Sequence, residues 1–254
     1  MKIDLDINKS LEQNASYYFD NAKKMKKKLD GAKKALELSK IKLSKVDDVK
    51  LSSVKKVVQV KREWYEKFRW FISSEGFLCL GGRDATTNEI LIKKYTEKND
   101  IVFHTDMSGS PFFIIKVDDK KPTEITLNEV AQATASFSKA WKQGLSSIDV
   151  FYVNPDQVTK EANPGEFLSK GSFMIRGKTN YIRPEIKLGI GIKDLKIVCG
   201  AVNSIKENCE KYFTLIPGEK KPSEIAKSLS KEFNIHSDEI IRALPAGNSE
   251  IKKI

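Results

Sequence analysis

The residues best suited to chemistry lie in a turn that follows a short apolar run. Gly81-Gly82 ends the run at residues 77–80, and Arg83-Asp84 comes next. An apolar run bounded by glycines predicts a buried strand that enters a sharp turn. Thr86 and Glu89 have capping-box spacing, which predicts a helix start. A strand, a glycine turn and a helix N-terminus beside an arginine can hold a phosphate. A tight turn with a local Arg–Asp ion pair explains the same residues equally well.

A second polar group follows the next predicted strand. His104 and Asp106 are two residues apart and would share one face if the strand continued that far. Together with Asp84 and Glu89 they offer ligands for Mg²⁺ and a water, so a metal-dependent phosphodiesterase is one hypothesis. A structural, hydrogen-bonded histidine is the simpler interpretation. We therefore predict no catalytic residue, no metal and no cofactor.

A third group lies later in the chain. Residues 154–165 form a long polar segment that contains Gln157 and Lys160, and long loops in compact domains are often functional. A predicted strand at residues 172–175 then runs into RGKTNY, which contains Arg176, Lys178 and Asn180. Cations that flank a glycine, followed by an amide and an aromatic ring, can contact phosphates and bases. A hairpin turn with incidental cations is the alternative.

The first part of the chain has the hydrophobic repeat of a coiled coil. Apolar residues recur with alternating spacings of four and three at Leu11, Ala15, Tyr18, Ala22, Met25, Leu29, Ala32 and Leu36. After a polar break, a second seam runs Leu51, Val54, Val58, Lys61, Tyr65 and Phe68. The pattern predicts an antiparallel helical hairpin with its tip near residues 46–48. At about 1.5 Å per residue, the first helix would extend roughly 50 Å and could project from the main body.

Short strands and helices alternate in the rest of the chain. Periodicity and turn residues predict strands near residues 77–80, 100–103, 112–117, 150–153, 172–175, 186–192, 195–201 and 212–216. Capping-box spacing from Thr126 to Glu129 predicts a helix through Trp141, and two more helices follow Ser223 and Ser237. We predict an α+β fold: a projecting coiled-coil hairpin over residues 1–68, a mixed α/β domain over 69–184 and a small α/β extension over 185–254.

The positive charge is concentrated at one end of the sequence. The formal net charge is +11, and residues 1–70 contain 17 Lys and 2 Arg against 10 acidic residues. An exposed cationic element favours polyanions such as RNA through counterion release, although a Lys-rich solvated helix is also common.

The apolar segments and the cysteines indicate the compartment. No run of about 18 apolar residues predicts a membrane span, and the chain does not open with a signal-peptide pattern. We therefore predict a cytoplasmic protein without a membrane partner. Cys79, Cys199 and Cys209 are odd in number and form no CxxC pair. They predict reduced, buried thiols and neither a disulfide framework nor a zinc site.

Two long stretches carry a family signature. The first is WYEKFRWFISSEGFLCLGGRDATTNEILIKKY followed by HTDMSGS, and the second starts at SKAW and continues as VNPDQVTKEANPGEFLSKGSFMIRGKTNY. They resemble the RNA-binding (NFACT-R) domain of the NFACT family, which includes bacterial RqcH, eukaryotic NEMF and archaeal relatives. The resemblance covers roughly residues 64–181, and the opening of the chain is similar to the family's coiled coil. The chain thus resembles the C-terminal half of an archaeal-type, RqcH/NEMF-like protein.

The resemblance implies an RNA-binding factor of ribosome-associated quality control, not an enzyme. Its expected partners are the rRNA of a stalled large ribosomal subunit and tRNA, including peptidyl-tRNA. Full-length relatives carry an NFACT-N domain ahead of the coiled coil. We therefore expect a fragment, or a split architecture in which a separate chain supplies that domain. The alternatives are a stand-alone tRNA-binding module that serves tRNA modification, and the phosphodiesterase.

For RNA binding, the candidates are the polar and cationic residues of the three turns, with Asp84 and Asp106 orienting cations or accepting base or ribose hydrogen bonds. They are Arg83, Asp84, Asn88, His104, Asp106, Gln157, Lys160, Arg176, Lys178 and Asn180.

Overall fold

The computed structural model describes residues 4–46, 63–161, 165 and 168–252, with side chains in the first range described up to residue 40. The chain divides into two compact units, residues 1–59 and 60–254. Within the described residues, no helix is long and apolar enough to cross a membrane.

The first unit contains one long helix, α1, at Leu11–Val46. Its start is fixed by a reciprocal cap, because the Ser10 hydroxyl accepts from the N–H of Gln13 and the Gln13 side chain accepts from the N–H of Ser10. Its 36 residues extend about 54 Å. The first helix of the predicted hairpin is confirmed. The tip predicted near residues 46–48 lies outside the described residues from residue 47 on, as does the second seam from Leu51 to Lys61.

The last two positions of the second seam belong to the other unit. Tyr65 lies in a 3₁₀ helix, Trp64–Lys67, and Phe68 ends it. Phe68 is fully buried and packs with Leu80 and Leu91. The prediction that Tyr65 and Phe68 continue a coiled coil is therefore wrong, because their rings pack into the core of the second unit.

The second unit contains a six-stranded antiparallel sheet. Its strands run in the order β1-β2-β4-β3-β5-β8, while β6 and β7 pair separately. Their bounds are β1 Arg69–Ile72, β2 Leu78–Gly81, β3 Ile101–Thr105, β4 Phe113–Ile115, β5 Val150–Val153, β6 Val158–Thr159, β7 Met174–Ile175 and β8 Asn180–Ile182.

A second antiparallel sheet follows in the chain, with the order β10-β9-β11-β12. Its strands are β9 Leu188–Lys193, β10 Lys196–Gly200, β11 Lys211–Lys220 and β12 Ser249–Lys252. The helices of this unit are α2 Ala85–Ile90, α3 Glu124–Ser136, α4 Lys139–Lys142, α5 Val202–Asn208, α6 Pro222–Phe233 and α7 Ser237–Ala243, and a π-helical turn, Leu91–Tyr95, continues α2. The predicted α+β class is confirmed.

The central strands of the six-stranded sheet are buried on both faces. Cys79, Phe113 and Ile115 point into a large core that also holds residues of the second sheet and of α3, α5 and α6. Their neighbours along the strands, Leu80 and Ile114, point into a smaller core on the opposite face. This alternation is the period of two expected of a pleated strand. Burial on both faces explains why these strands read as continuous apolar runs.

The three cysteines lie in or beside this core. Cys79, Cys199 and Cys209 are buried free thiols, as predicted. Burial raises the pKa of Cys199 to about 12 and that of Cys209 to about 11. Buried, protonated thiols of this kind act as small apolar side chains.

One predicted helix is divided and starts earlier than expected. The Thr123 hydroxyl accepts from the N–H of Ile125 at 3.2 Å, so α3 begins after Thr123 and the capping box at Thr126–Glu129 is wrong. The helix ends at Ser136, and the Ser138 hydroxyl accepts from the N–H of Ala140 to start α4. Ser138 divides the helix because its side chain satisfies a new helix start.

Glu129 faces the core and not the helix start. Its Oε2 accepts from the N–H of Ser74 at 3.0 Å, and Oε1 has no hydrogen-bond partner among the described residues. Burial raises the pKa of this carboxyl, and the charges of Glu75 and Glu207 raise it further. The folded protein therefore binds a proton at Glu129 more readily than the unfolded chain does.

We predict that the wild type gains stability relative to Glu129→Gln as the pH falls from neutral towards the ordinary pKa of a glutamic acid. The stability from the protonated carboxyl is fully present below the unfolded pKa and is lost as the pH rises through the folded pKa. Urea titrations at each pH measure both free energies of unfolding. Glu124→Gln, at an exposed position of the same helix, is the control. Identical pH dependence in the wild type and Glu129→Gln would contradict the raised pKa.

Candidate nucleic-acid interface

The turn after β2 is held by the side chain of Asn88. Asn88 Oδ1 accepts from the N–H of Phe112 at 3.1 Å, and the N–H of Gly82 donates to the Phe112 carbonyl at 3.0 Å. A Cβ on Gly82 would lie 1.8 Å from Asn88 Oδ1, so the position requires glycine. The predicted sharp turn is confirmed, and it closes onto the residue that precedes β4.

The helix start after this turn differs from the prediction. Asp84 Oδ1 accepts from the N–H of Thr87 at 2.8 Å, and the Thr87 hydroxyl accepts from the N–H of Asp84 at 2.9 Å. The hydrogen bonds that the N–H and the hydroxyl of Thr87 donate to the carboxylate lower the pKa of Asp84. Thr86–Glu89 is therefore not the capping box, and Glu89 instead pairs with Lys93 at 2.7 Å. The carboxylate of Asp84 thus occupies the start of α2, where the sequence suggested a phosphate.

Arg83 holds distant parts of the backbone together. Its Nε donates to the Lys67 carbonyl at 3.2 Å, Nη2 to that of Phe68 at 2.9 Å and Nη1 to that of Arg242 at 2.7 Å. Burial lowers the pKa of this guanidinium, and the charge of Arg242 lowers it further. Because its donors face carbonyls, the alternative of a local ion pair with Asp84 is not observed in the described part of the chain.

A second arginine acts in the same way. Arg69 Nη1 lies 3.3 Å from the carbonyls of both Ala243 and Leu244, and its guanidinium lies 4.0 Å from the centre of the Phe137 ring. Burial, followed by repulsion from Arg83, lowers its pKa to about 10. Both guanidinium groups bind protein carbonyls and are only partly available to a ligand.

These residues line a cleft of about 720 Å³. Four of the ten predicted RNA-binding residues meet here, namely Arg83, Asp84, Asn88 and His104. The other walls are the loop at residues 108–111, the start of α4, and the segment at residues 169–173.

Two glycines allow these walls to approach their neighbours. Gly109 has a φ of +82°, and a Cβ there would lie 2.5 Å from Cε of Lys139. Gly171 has a φ of +80°, and a Cβ there would lie 2.6 Å from Cα of Ala85. Positive φ and close approach both favour glycine. The glycines of HTDMSGS and of LSKGS therefore shape the cleft.

His104 fastens the loop at residues 108–111. It lies in β3, its ring stacks on Phe112 with 4.1 Å between the ring centres, and its Nε2 lies 3.2 Å from the Ser110 carbonyl. Since a carbonyl can only accept, Nε2 carries the proton and donates it. Burial lowers the pKa of His104. This arrangement matches the interpretation of a structural, hydrogen-bonded histidine.

Three exposed lysines line the cleft and were missing from the predicted site: Lys139, Lys142 and Lys170. None has a hydrogen bond or ion pair with another described residue, although the charge of Lys170 contributes to the lowered pKa of Asp84. Among the residues that the structure describes, the lining therefore contains five cations, counting the two arginines, and one carboxylate, Asp84. Lys139 could have been found from the sequence, because it lies in the SKAW segment of the second signature stretch.

Two more of the predicted residues support one wall of the cleft without lining it. The Gln157 side-chain amide donates to the carbonyls of Arg176 at 2.8 Å and Lys178 at 2.9 Å. The Lys160 ammonium donates to the carbonyls of Ser169 at 3.0 Å and Ser172 at 2.8 Å. Their polar groups stabilise the fold of the segment between β6 and β8.

The remaining four predicted residues lie on the surface outside the cleft lining. Arg176, Lys178 and Asn180 are exposed, and Arg176 Nη2 donates to the Glu161 carbonyl at 3.3 Å. Asp106 is exposed and accepts from the Tyr181 hydroxyl at 3.4 Å. The structure thus separates the ten residues into a cleft group, a supporting pair and an exposed surface group.

The ligand set considered for a phosphodiesterase is not assembled. Asp84 caps α2, Glu89 pairs with Lys93, and His104 donates to a carbonyl. Across residues 4–40, 63–161 and 168–252, no group of three His, Cys, Asp or Glu residues is arranged to hold a metal ion.

Comparison with known proteins identifies the class of the second unit. Residues 67–177 match the family described as NFACT protein RNA binding domain. The Archaeal Rqc2 homolog aRqcH of Methanocaldococcus jannaschii is 42% identical over 208 residues, which are 79% of this chain and 31% of that protein. The human Ribosome quality control complex subunit NEMF is 37% identical over 180 residues, or 67% of this chain and 16% of that protein.

Among solved structures, the C-terminal of the fibronectin/fibrinogen-binding protein from Streptococcus suis is 19% identical, with a TM-score of 0.41. The match covers 70% of this chain and 77% of the Streptococcus suis chain.

The second unit therefore contains a domain of the RNA-binding class, and the cleft lies largely within it. Residues 67–177 belong to the NFACT RNA-binding domain family, and 79% of the chain is similar to the archaeal relative. The chain spans about a third of the length of the archaeal relative and less of the human one.

We predict that Arg83→Lys lowers the free energy of unfolding by about 1–3 kcal/mol while changing RNA affinity little. Lysine keeps the charge but cannot reach three carbonyls with one planar group. Unfolding in guanidinium chloride measures the change in stability, and an RNA-binding assay measures the change in affinity. Arg183→Lys, on an exposed side chain, is the control. Weaker RNA binding at unchanged stability would contradict the structural role of Arg83.

Proposed function

We propose that this chain is an RNA-binding component of ribosome-associated quality control that binds the large ribosomal subunit together with its tRNA. The observation that carries the proposal is the match of residues 67–177 to the NFACT RNA binding domain. The names of the archaeal and human relatives agree with it. Action at the ribosome would place the chain in the cytoplasm.

Charge supports RNA as the ligand. Helix α1 contains 10 lysines against 4 acidic residues, and the cleft adds three exposed lysines without protein partners among the described residues. Binding of cations to phosphates releases counterions, which provides much of the affinity for RNA. We infer that the basic helix α1 contacts rRNA, and that residues 69–184 bind tRNA or rRNA. The extension at 185–254 is assigned no site.

The NFACT-N domain that the resemblance implies would complete this function by recruiting charged tRNA. Whether it is covalently joined or supplied by a separate chain, we propose it as a partner of the RNA-binding part.

Co-sedimentation tests the function directly. The purified chain is spun with isolated large subunits, with whole ribosomes and with free tRNA, at two salt concentrations. We predict preferential binding to large subunits that carry peptidyl-tRNA. Binding to free tRNA alone would favour the stand-alone module for tRNA modification, and binding to none of the three would contradict RNA binding by this chain.

The exposed surface group has its own test. We predict that Arg176→Ala with Lys178→Ala weakens RNA binding and reduces the slope of log affinity against log salt by roughly two, because about one counterion is released per phosphate contact. Lys227→Ala with Lys231→Ala, at exposed positions of α6, removes the same charge elsewhere and is the control. An unchanged slope in the first double variant would exclude these two residues from the interface.

A further inference from the structure

The polar groups of the cleft define the ligand that it can take. We propose that the cleft binds one phosphorylated nucleotide of RNA, with the phosphate held by Lys139 and Lys170 and hydrogen-bonded by the Ser110 hydroxyl. This inference rests on the proposed RNA-binding function and specifies a site within it. The sequence suggested a phosphate at the start of α2 beside Arg83, but Asp84 caps that helix and Arg83 donates to backbone carbonyls. The phosphate is therefore assigned to the lysines.

Ser110 is a buried residue of the cleft whose hydroxyl lacks a partner among the described residues. The residue lines the cleft, is only 5% exposed, and its Oγ has no hydrogen-bond partner among the described residues. A buried hydroxyl without a partner is costly, and native proteins rarely leave one unsatisfied. A phosphate oxygen in the cleft would accept the hydrogen bond that the hydroxyl can donate.

The loop that carries Ser110 is held in place before any ligand arrives. The His104 ring is stacked on Phe112 and donates to the Ser110 carbonyl, and Gly109 lies against the Lys139 side chain. The hydroxyl and the lysine stem are therefore positioned by the same loop. Such preorganisation reduces the entropy that binding costs.

Two lysines on different walls of the cleft favour an anionic ligand. Lys139 and Lys170 come from different walls, α4 and the segment at residues 169–173. Neither ammonium group is paired with a described residue. Because five cations and one carboxylate, Asp84, are found among the described residues of the lining, the field in the cleft favours an anion. Two ammonium groups suit a phosphate, which presents several acceptor oxygens.

Size and ring surface distinguish a nucleotide from a bare phosphate. The volume of about 720 Å³ lies within the range of about 300–1,000 Å³ typical of small-ligand sites. Phe173 lines the cleft, is half-buried, and meets Phe112 edge to face with 5.4 Å between the ring centres. A partly exposed aromatic ring beside a cationic site is a common platform for a nucleic-acid base.

Equilibrium dialysis of the full chain with 5′-AMP, adenosine or inorganic phosphate tests the inference. We expect 5′-AMP to bind more tightly than either of the other two, because it alone engages both the lysines and the ring surface. Lys139→Ala with Lys170→Ala should weaken 5′-AMP binding by about tenfold or more, since charge-assisted hydrogen bonds are lost. The Lys227→Ala, Lys231→Ala protein, with the same change in charge, should bind 5′-AMP as the wild type does.

Ser110→Ala separates binding from folding. Removal of an unpartnered hydroxyl should leave the thermal unfolding temperature unchanged or raise it, while 5′-AMP binding weakens by about threefold to tenfold. A merely structural role would lower stability together with binding. Unchanged 5′-AMP binding in both Ser110→Ala and the Lys139, Lys170 double variant would overturn the assignment.

The source of the nucleotide is tested by competition. A short single-stranded oligoribonucleotide should displace 5′-AMP from the wild type, and failure to do so would overturn the assignment to RNA. The inference and the proposed function fail separately. A wild type that binds large subunits but not 5′-AMP would refute the nucleotide site alone. A chain that binds 5′-AMP and the oligoribonucleotide at the cleft but no large subunit would support the site and contradict the ribosomal function.

Discussion

The candidate interface depends on one close contact, the one that Asn88 makes with two stretches of backbone. Its carboxamide accepts from the N–H of Phe112 and lies where a side chain on Gly82 would otherwise be. This contact fixes α2 against the residue before β4. The floor of the cleft, the stacked His104 ring and the loop at residues 108–111 all follow from the position of Phe112.

The basic residues of the cleft are of two kinds, partly buried arginines and exposed lysines. Arg69 and Arg83 are drawn into the structure, where their guanidinium groups donate to backbone carbonyls and burial lowers their pKa values. The exposed lysines of the cleft, Lys139, Lys142 and Lys170, have no hydrogen bond or ion pair with another described residue. A planar, weakly hydrated guanidinium tolerates burial better than an ammonium does. The basic residues that hold the fold together and those available to a polyanion are therefore different sets.

The predictions from sequence succeeded where the signal is local and repeated. The long first helix, the strands around Leu80, Phe103 and Val153, and the glycine turn at Gly82 follow from periodicity and from residues with special backbone requirements. The two capping boxes at Thr86–Glu89 and Thr126–Glu129 were wrong. Capping spacing occurs often by chance, and the carboxylates of Glu89 and Glu129 instead pair with Lys93 and with the N–H of Ser74.

The sequence by itself determined the α+β class, the family and the cationic character of this chain, because composition, hydrophobic period and signature motifs are properties of the linear polymer. Only the tertiary structure decided which polar residues share a site. It placed Arg83, Asp84, Asn88 and His104 in one cleft and left Arg176 and Lys178 on another surface. It also added Ser110, Lys139 and Lys170. Their role depends on whether neighbouring residues form hydrogen bonds or ion pairs with their polar groups, and those neighbours are brought together only by folding.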